Sequence, residues 1–331
     1  MANVNADLRD LCILLVKTSS LGDVLHNLPV VTDIARHYPG AQIDWLVEES
    51  FSALPKFHPS VRNTIPVAWR RWRGKLLSPD TWREYRNLRA FLAAYDYDVA
   101  IDTQGLIKSA ILMLGVQGLR CGFDKHSARE SLASFMYHKS FSVAKGQHAV
   151  ERNRQLVAQA LGYTLFVPAD YGIHAPTFDG FEWLREGSYA VLLHSTSRTD
   201  KLWDESNWIA LGRYLNERNI QSILPWGSEK ERLRSLRLAQ SITDSVTPPR
   251  LNLYEAASLF SAAFVVIGVD TGLAHLAAAL KIPTIGIYTA TDPALTGLYA
   301  GENAINLGGI NQSPKVSVVI DALQKITSKT L

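Results

Sequence analysis

The sequence predicts an α/β protein made of two parallel-sheet domains in tandem, and three observations carry that prediction. Short β-rich runs alternate with amphipathic stretches from one end of the chain to the other, the pattern of repeated βαβ units. The chain has 331 residues, room for two domains at roughly 100–200 residues each. Around 167–187 the periodicity lapses, and Pro168, Pro176 and three glycines lie among mostly polar neighbours, which reads as a linker. The expected division is a first domain over 1–167, a linker over 168–187 and a second domain over 188–331, with a cleft between the two sheets.

In the first domain, apolar and β-branched runs predict strands over 11–17, 42–47, 63–67, 98–102, 119–122 and 139–142. Apolar residues at 24, 25, 28, 31, 34 and 35 follow a period near 3.6 and predict one helix over 24–37, stopped by Pro39-Gly40. A second helix is expected over 149–161, closed by Gly162. In the second domain, strands are expected over 189–194, 222–225, 264–269 and 284–288, with a short one near 244–247. Helices are expected over 203–217, 229–240, 253–263 and 273–280. A terminal amphipathic helix over 316–326 is expected to pack back on the first domain.

Composition excludes several classes. Two cysteines, Cys12 in an apolar run and Cys121 far from it, fit neither a disulfide framework nor a metal-ligand spacing. No apolar run reaches the roughly 18 residues of a membrane span, and residues 1–10 are polar, so a cytoplasmic location is expected. The net charge of +3 is unevenly placed: residues 1–170 carry 20 Lys and Arg against 16 Asp and Glu, residues 171–331 carry 14 against 15. So small an excess does not point to nucleic acid.

Ligands of open α/β sheets bind at the carboxyl ends of strands, and three strand ends carry chemistry. Lys17-Thr18-Ser19-Ser20-Leu21-Gly22-Asp23 follows the first strand; Gly22 would allow a tight turn, and Asp23 is either a functional carboxylate or a helix cap. Val269-Asp270-Thr271-Gly272-Leu273-Ala274-His275 repeats this logic in the second domain. Its exposed helix-start amides suit an anion, with a cap and a core histidine as the plainer account. His194-Ser195-Thr196-Ser197-Arg198-Thr199-Asp200-Lys201 supplies hydroxyls and a lysine fit for a diphosphate, or a solvated loop. After the next strand, Glu231 could accept hydrogen bonds from a ribose. No dinucleotide fingerprint or P-loop occurs.

Residues 50–79 hold Lys56, Arg62, Arg70, Arg71, Arg73 and Lys75 with no acidic residue. Such a segment suits a phosphorylated or carboxylated substrate or an acidic lipid surface, or it is a solvated basic loop. Asp96-Tyr97-Asp98 has a metal-binding spacing but falls at the entry of its strand, the wrong end for a ligand site. No metal is expected.

Taken together, the Lys17 to His26 segment, Arg70-Arg71-Trp72-Arg73, Asp102-Thr103-Gln104-Gly105-Leu106-Ile107-Lys108-Ser109, Ala128-Arg129-Glu130, His148-Ala149-Val150-Glu151-Arg152, Leu224-Pro225-Trp226-Gly227 and Asp270 to His275 resemble, in order, the lipopolysaccharide heptosyltransferase I family. The resemblance runs from about Leu11 to the C-terminus. It implies a GT-B glycosyltransferase: two Rossmann-like domains facing across a cleft, inverting, metal-independent and without a cofactor. The donor it implies is ADP-L-glycero-β-D-manno-heptose, bound by the second domain through Thr196, Ser197, Lys201, Glu231, Asp270, Thr271, Gly272 and His275. The acceptor it implies is the 3-deoxy-manno-octulosonic acid (Kdo) of Kdo-lipid A, bound by the first domain, with Asp23 as general base and Arg70, Arg71, Arg73, Lys75 and Arg129 as acceptor-binding cations. Work at the cytoplasmic face of the inner membrane follows, as a peripheral contact. A transferase or epimerase using another nucleotide sugar, or a non-catalytic lipopolysaccharide-binding protein, is the alternative.

Overall fold

The computed structural model describes residues 11–176 and 180–328; the polar stretch 1–10 lies outside them. The chain separates into two compact units, 1–172 and 173–331.

The first unit runs β1 (Cys12–Val16), α1 (Leu21–Leu25), α2 (Leu28–His37), β2 (Gln42–Glu48), β3 (Val61–Val67), α3 (Trp69–Trp72), α4 (Pro79–Ala94), β4 (Val99–Asp102), α5 (Ile107–Leu112), β5 (Leu119–Phe123), β6 (Lys139–Phe141) and α6 (Ala149–Leu161). Its six strands are parallel in the order β3-β2-β1-β4-β5-β6. Central β1 is covered on both faces, so it reads as the unbroken apolar run CILLV. All six expected strands are present.

The single helix expected over 24–37 is divided into α1 and α2 at His26-Asn27. Pro29 explains the break, because it has no N–H to give to the carbonyl of Leu25 and sits comfortably only in a first helical turn. α6 ends as expected, with Gly162 at φ 78°, the left-handed stop that glycine adopts freely. Beneath α2 and α6, Arg154 forks onto Asp33 at 2.7 and 3.1 Å.

The second unit runs β7 (Tyr189–Leu193), α7 (Glu205–Asn216), β8 (Gln221–Ile223), α8 (Glu229–Ala239), β9 (Ser245–Val246), α9 (Leu253–Ser261), β10 (Val265–Val269), α10 (Gly272–Ala279), β11 (Thr284–Tyr288), α11 (Pro293–Thr296), β12 (Ala304–Gly308) and α12 (Val316–Thr327). Its sheet is also parallel, in the order β12-β11-β10-β7-β8-β9. Counted from each unit's first strand, both sheets share the order 3-2-1-4-5-6, that of a dinucleotide-type Rossmann sheet. The edge strand β12 was not anticipated. The terminal helix α12, expected to return to the first domain, instead places Val319, Ala322, Leu323 and Ile326 in the core of its own unit, with Trp203 and Trp208. Its apolar stripe packs beside α7 and against β11 and β12. Both cysteines are free, and no described helix is long and apolar enough to cross a membrane.

Candidate active site

In a 3-2-1-4-5-6 sheet the order reverses between the first and fourth strands, and the connections there leave in opposite directions to open a crevice at the carboxyl edge. The first unit fills that position with the turns after β1 and β4. Asp102, at the end of β4, is fully buried and accepts from Gln104 N (2.8 Å), Gly105 N (3.3 Å), Ser109 Oγ (2.7 Å) and Tyr137 OH (2.8 Å). So pinned, the turn offers the Gln104 side chain to its neighbour: Gln104 Oε1 accepts from Thr18 N (2.7 Å) and Thr18 Oγ1 (2.8 Å), and Nε2 donates to Ser19 O (2.6 Å). Lys108 Nζ adds a bond to Ser19 Oγ at 2.7 Å. Gly105 has φ +66°, and a Cβ there would lie 3.3 Å from Arg129 N. The residue that binds this turn to the Ala128-Arg129-Glu130 segment must therefore be glycine.

Asp23 stands on the turn so held. Helix α1 begins at Leu21, which puts Gly22 inside the first helical turn and makes Ser20, rather than Asp23, the N-cap. Asp23 is the third helical residue; its Oδ2 accepts from Ser20 N (2.9 Å) and Ser20 Oγ (3.0 Å) and lies 3.7 Å from Arg129 Nη1. Burial pushes its carboxyl up, but Lys17, Arg129 and the two Ser20 bonds outweigh it and hold the group below the usual carboxylate range. Lys17 is 6% exposed and donates to Thr103 O at 2.7 Å. Burial lowers its ammonium to about 8, with Asp23 opposing. Lys17 and Gln104 lie in segments the sequence singles out, but it assigns neither a role of its own, since a lysine at a strand end ordinarily reads as solvated.

The acid-free basic segment is not acid-free in space. Arg71 forks onto Glu84 of α4 at 2.9 and 2.9 Å and lies 3.7 Å from Glu49, so its charge is matched inside the protein. Arg70 lies over the Phe51 ring, 4.8 Å from its centroid. Glu48 sets Arg70 beside the β1 turn, its Oε1 accepting from Arg70 N at 3.2 Å and its N donating to Thr18 O at 3.1 Å. Burial lowers the Lys108 ammonium, the charges of Arg70 and Arg73 lower it further, and that of Asp23 raises it. Arg73 and Lys75 are exposed. Asp96-Tyr97-Asp98 precedes β4 as expected, with Asp98 Oδ2 accepting from Cys12 N at 2.8 Å.

The second unit builds its counterpart after β7 and β10. Asp270 is the hub: Lys201 Nζ and Thr291 Oγ1 donate to its Oδ2 at 2.7 and 2.6 Å, His275 Nε2 lies 3.8 Å from Oδ1, and Thr196 Oγ1 donates to its main-chain oxygen at 2.9 Å. Burial raises the Asp270 carboxyl, but His275, Lys201 and Thr291 together drive it well below the usual range. Thr291 was not anticipated. Thr271 is the N-cap of α10, yet its hydroxyl makes no capping bond, so it and the amide of Gly272 remain at the positive end of the helix. Lys201 is thus held by Asp270 beside this helix start.

Thr196, Ser197 and Glu231 line one cavity of about 350 Å³ with Ser195, Thr199 and Arg234. Glu231 Oε2 accepts from Gly227 N (2.7 Å) and Ser228 N (3.0 Å), a capping box that fixes its carboxylate at the cavity wall. His194 bridges Ser195 Oγ and Ser235 Oγ at 2.8 Å each. Burial lowers its imidazole to about 3, so a neutral ring ties the hydroxyl loop to α8.

The family model for glycosyltransferase family 9 (heptosyltransferase) matches residues 85–325. Lipopolysaccharide heptosyltransferase 1 of Pseudomonas aeruginosa is 46% identical over 298 residues, 89% of this chain and 83% of that protein. The Escherichia coli heptosyltransferase WaaC solved with ADP superposes with a TM-score of 0.87 at 40% identity, covering 96% of this chain and 100% of that one. The same enzyme with ADP-2-deoxy-2-fluoro heptose gives 0.83 at 39% identity over 97% and 100%. Two six-stranded parallel units, a matched family model and relatives of this closeness make the fold GT-B. The chain belongs to glycosyltransferase family 9, the heptosyltransferases.

Proposed function

We propose that this heptosyltransferase moves L-glycero-D-manno-heptose from ADP-heptose to a Kdo hydroxyl of Kdo-lipid A, inverting the anomeric carbon and using no metal ion. The observation that carries the reading is Asp23: a carboxylate kept ionised by Lys17, Arg129 and Ser20 at the switch point of the first sheet. An inverting transfer needs a base on the sugar face opposite the leaving group. The acceptor oxygen forms its bond to the anomeric carbon, the bond from that carbon to the β-phosphate oxygen breaks with its electron pair passing to ADP, and the acceptor proton goes to Asp23. The contacts described for Asp23 converge on Oδ2, so Oδ1 takes the proton. A carboxylate this acidic serves when proton transfer is late, after the sugar has become oxocarbenium-like.

The second unit supports the donor half. Cavity-lining hydroxyls and Glu231 suit adenosine, and Lys201 with the start of α10 suits the diphosphate. Charge developing on the departing ADP falls to Lys201 and the helix-start amide of Gly272. Arg129 offers the anionic acceptor a partner beside the base. As Arg129 turns toward a Kdo carboxylate it leaves Asp23 more basic, which couples acceptor binding to proton abstraction. Arg70, Arg73 and Lys75 suit the phosphates of lipid A at a membrane surface, the peripheral, cytoplasmic-face placement that such an acceptor demands.

Donor-dependent extension of Kdo-lipid A by one heptose, read by mass spectrometry, with α-configured product by NMR and no loss in EDTA, is the expected result. Extension abolished by EDTA and restored by a divalent cation would sink the metal-free mechanism, and consumption of ADP-heptose with no acceptor product would sink the transfer.

A further inference from the structure

Between α3 and α4 the chain forms a turn whose backbone is held while its apolar side chains are not. Lys75 N donates to Trp72 O (2.8 Å) and Ser78 N to Lys75 O (3.0 Å). Thr81 Oγ1 donates to Lys75 O (2.9 Å) and Trp82 Nε1 to Leu76 O (2.8 Å). Leu77, at the tip, is 99% exposed, Leu76 54% and Trp82 53%. A turn this well bonded does not display large apolar groups for want of order, and each would gain by leaving water.

Cations flank the tip. Arg73 and Lys75 precede it, and Arg86 and Arg89 follow Trp82 along the same stripe of α4 at helical spacing. All four are exposed, and among the described residues none of them forms an ion pair. The nearby acids are engaged: Asp80 with Arg83 at 2.8 Å and Glu84 with Arg71 at 2.9 Å. An apolar point with unopposed positive charge before it in the turn and after it along α4 complements an anionic bilayer, where leucine and indole enter the boundary of headgroup and acyl chain and cations stay with phosphates.

We propose that Leu76, Leu77 and Trp82 form a wedge that inserts into the interface of an anionic lipid bilayer, with Arg73, Lys75, Arg86 and Arg89 gripping the headgroups. This rests on the reading of the acceptor as a membrane lipid and goes beyond it by making the bilayer a ligand in its own right, met by apolar side chains that take no part in the transfer.

Flotation with mixed phosphatidylglycerol–phosphatidylcholine vesicles and with pure phosphatidylcholine vesicles tests it. The wild type is expected to float with the anionic vesicles only. The double variant Leu76→Ser, Leu77→Ser is expected to lower the bound fraction by about tenfold, and high salt to release the wild type. Transfer to a deacylated, water-soluble Kdo acceptor stays at the wild-type rate in the double variant. Equal flotation of the two proteins would overturn the proposal, as would loss of transfer to the soluble acceptor in the double variant or a vesicle-free dimer that the serines abolish. The expected flotation without any transfer by the wild type would support the wedge while removing the proposed acceptor.

Discussion

Asp23 keeps its charge although it is largely enclosed, because Ser20 and Arg129 meet one of its oxygens and the charge of Lys17 adds to theirs. Its folded pKa lies below the ordinary value of roughly 4, so protonation should not limit the reaction near neutrality. The acid limb of kcat/KM attributable to the base is expected below that value, and Arg129→Ala, which removes an opposing charge, is expected to shift the limb toward neutral pH. A limb that stays in place in Arg129→Ala would separate Arg129 from the base. Lys17 shows the reverse case. Its folded pKa of about 8 lies under the ordinary lysine value of roughly 10.4, so between these values the unfolded chain holds more protons and folding stability rises with pH. Urea unfolding of wild type and Lys17→Met should show the wild type gaining on the variant across that window, by roughly 3 kcal/mol at full extent. At this scale the placement of Asp23, Asp270 and His275 just after a strand was legible, each being a polar group in a turn or first helical turn that follows an apolar run. The parts played by Lys17 and Thr291 were not, because their importance lies in what folds against them. The basic run illustrates the same limit: it is acid-free as a string, yet Glu84 reaches Arg71 from the next helix.

The elements carry these groups through turns bound to one another. Asp102 fixes the β4 turn, which fixes the β1 turn through Gln104, so Gln104→Ala is expected to reduce kcat with ADP affinity kept, at a stability cost of about 1–3 kcal/mol because the buried Thr18 amide and hydroxyl lose their acceptor. A drop in kcat with ADP affinity also lost would mark a general unfolding instead. The Arg154–Asp33 pair joins α2 to α6 inside the first unit. Asp33→Ala leaves the buried Arg154 guanidinium with only Glu151 (3.0 Å) and the Val167 carbonyl (2.8 Å) and should cost about 1.5–3 kcal/mol in denaturant unfolding; a change under about 1 kcal/mol would show that solvent reaches the pair. Strands were the most legible elements, because a strand covered on both faces is an uninterrupted apolar run. The break between α1 and α2 was hidden by an apolar period that continues across it, though Pro29 was its visible cause. α4 buries little beyond Thr81, Leu88 and Leu92, and β12 is a half-exposed edge, so neither leaves a strong pattern.

Across the whole molecule, one strand order occurs twice, and each copy gathers polar groups at its own switch point: a carboxylate and cations in the first unit, a lysine beside a helix start and a hydroxyl-lined cavity in the second. The uneven charge follows the same division, with the basic excess in the unit proposed to meet an anionic lipid and near-neutrality in the unit proposed to hold the nucleotide through a local site. Two α/β domains were readable from alternation and length, and the order of motifs pointed to the family. The return of the terminal helix to its own sheet was not readable, since an amphipathic stripe does not say which sheet it will cover. If the units divide the labour in this way, removing the base should stop transfer and spare the nucleotide. The direct measurement is the rate at which Asp23→Asn extends Kdo-lipid A from ADP-heptose, taken beside its calorimetric affinity for ADP. A fall of about 10²–10⁴-fold in rate with ADP affinity within about twofold of wild type is expected, whereas a rate near wild type would contradict Asp23 as the base.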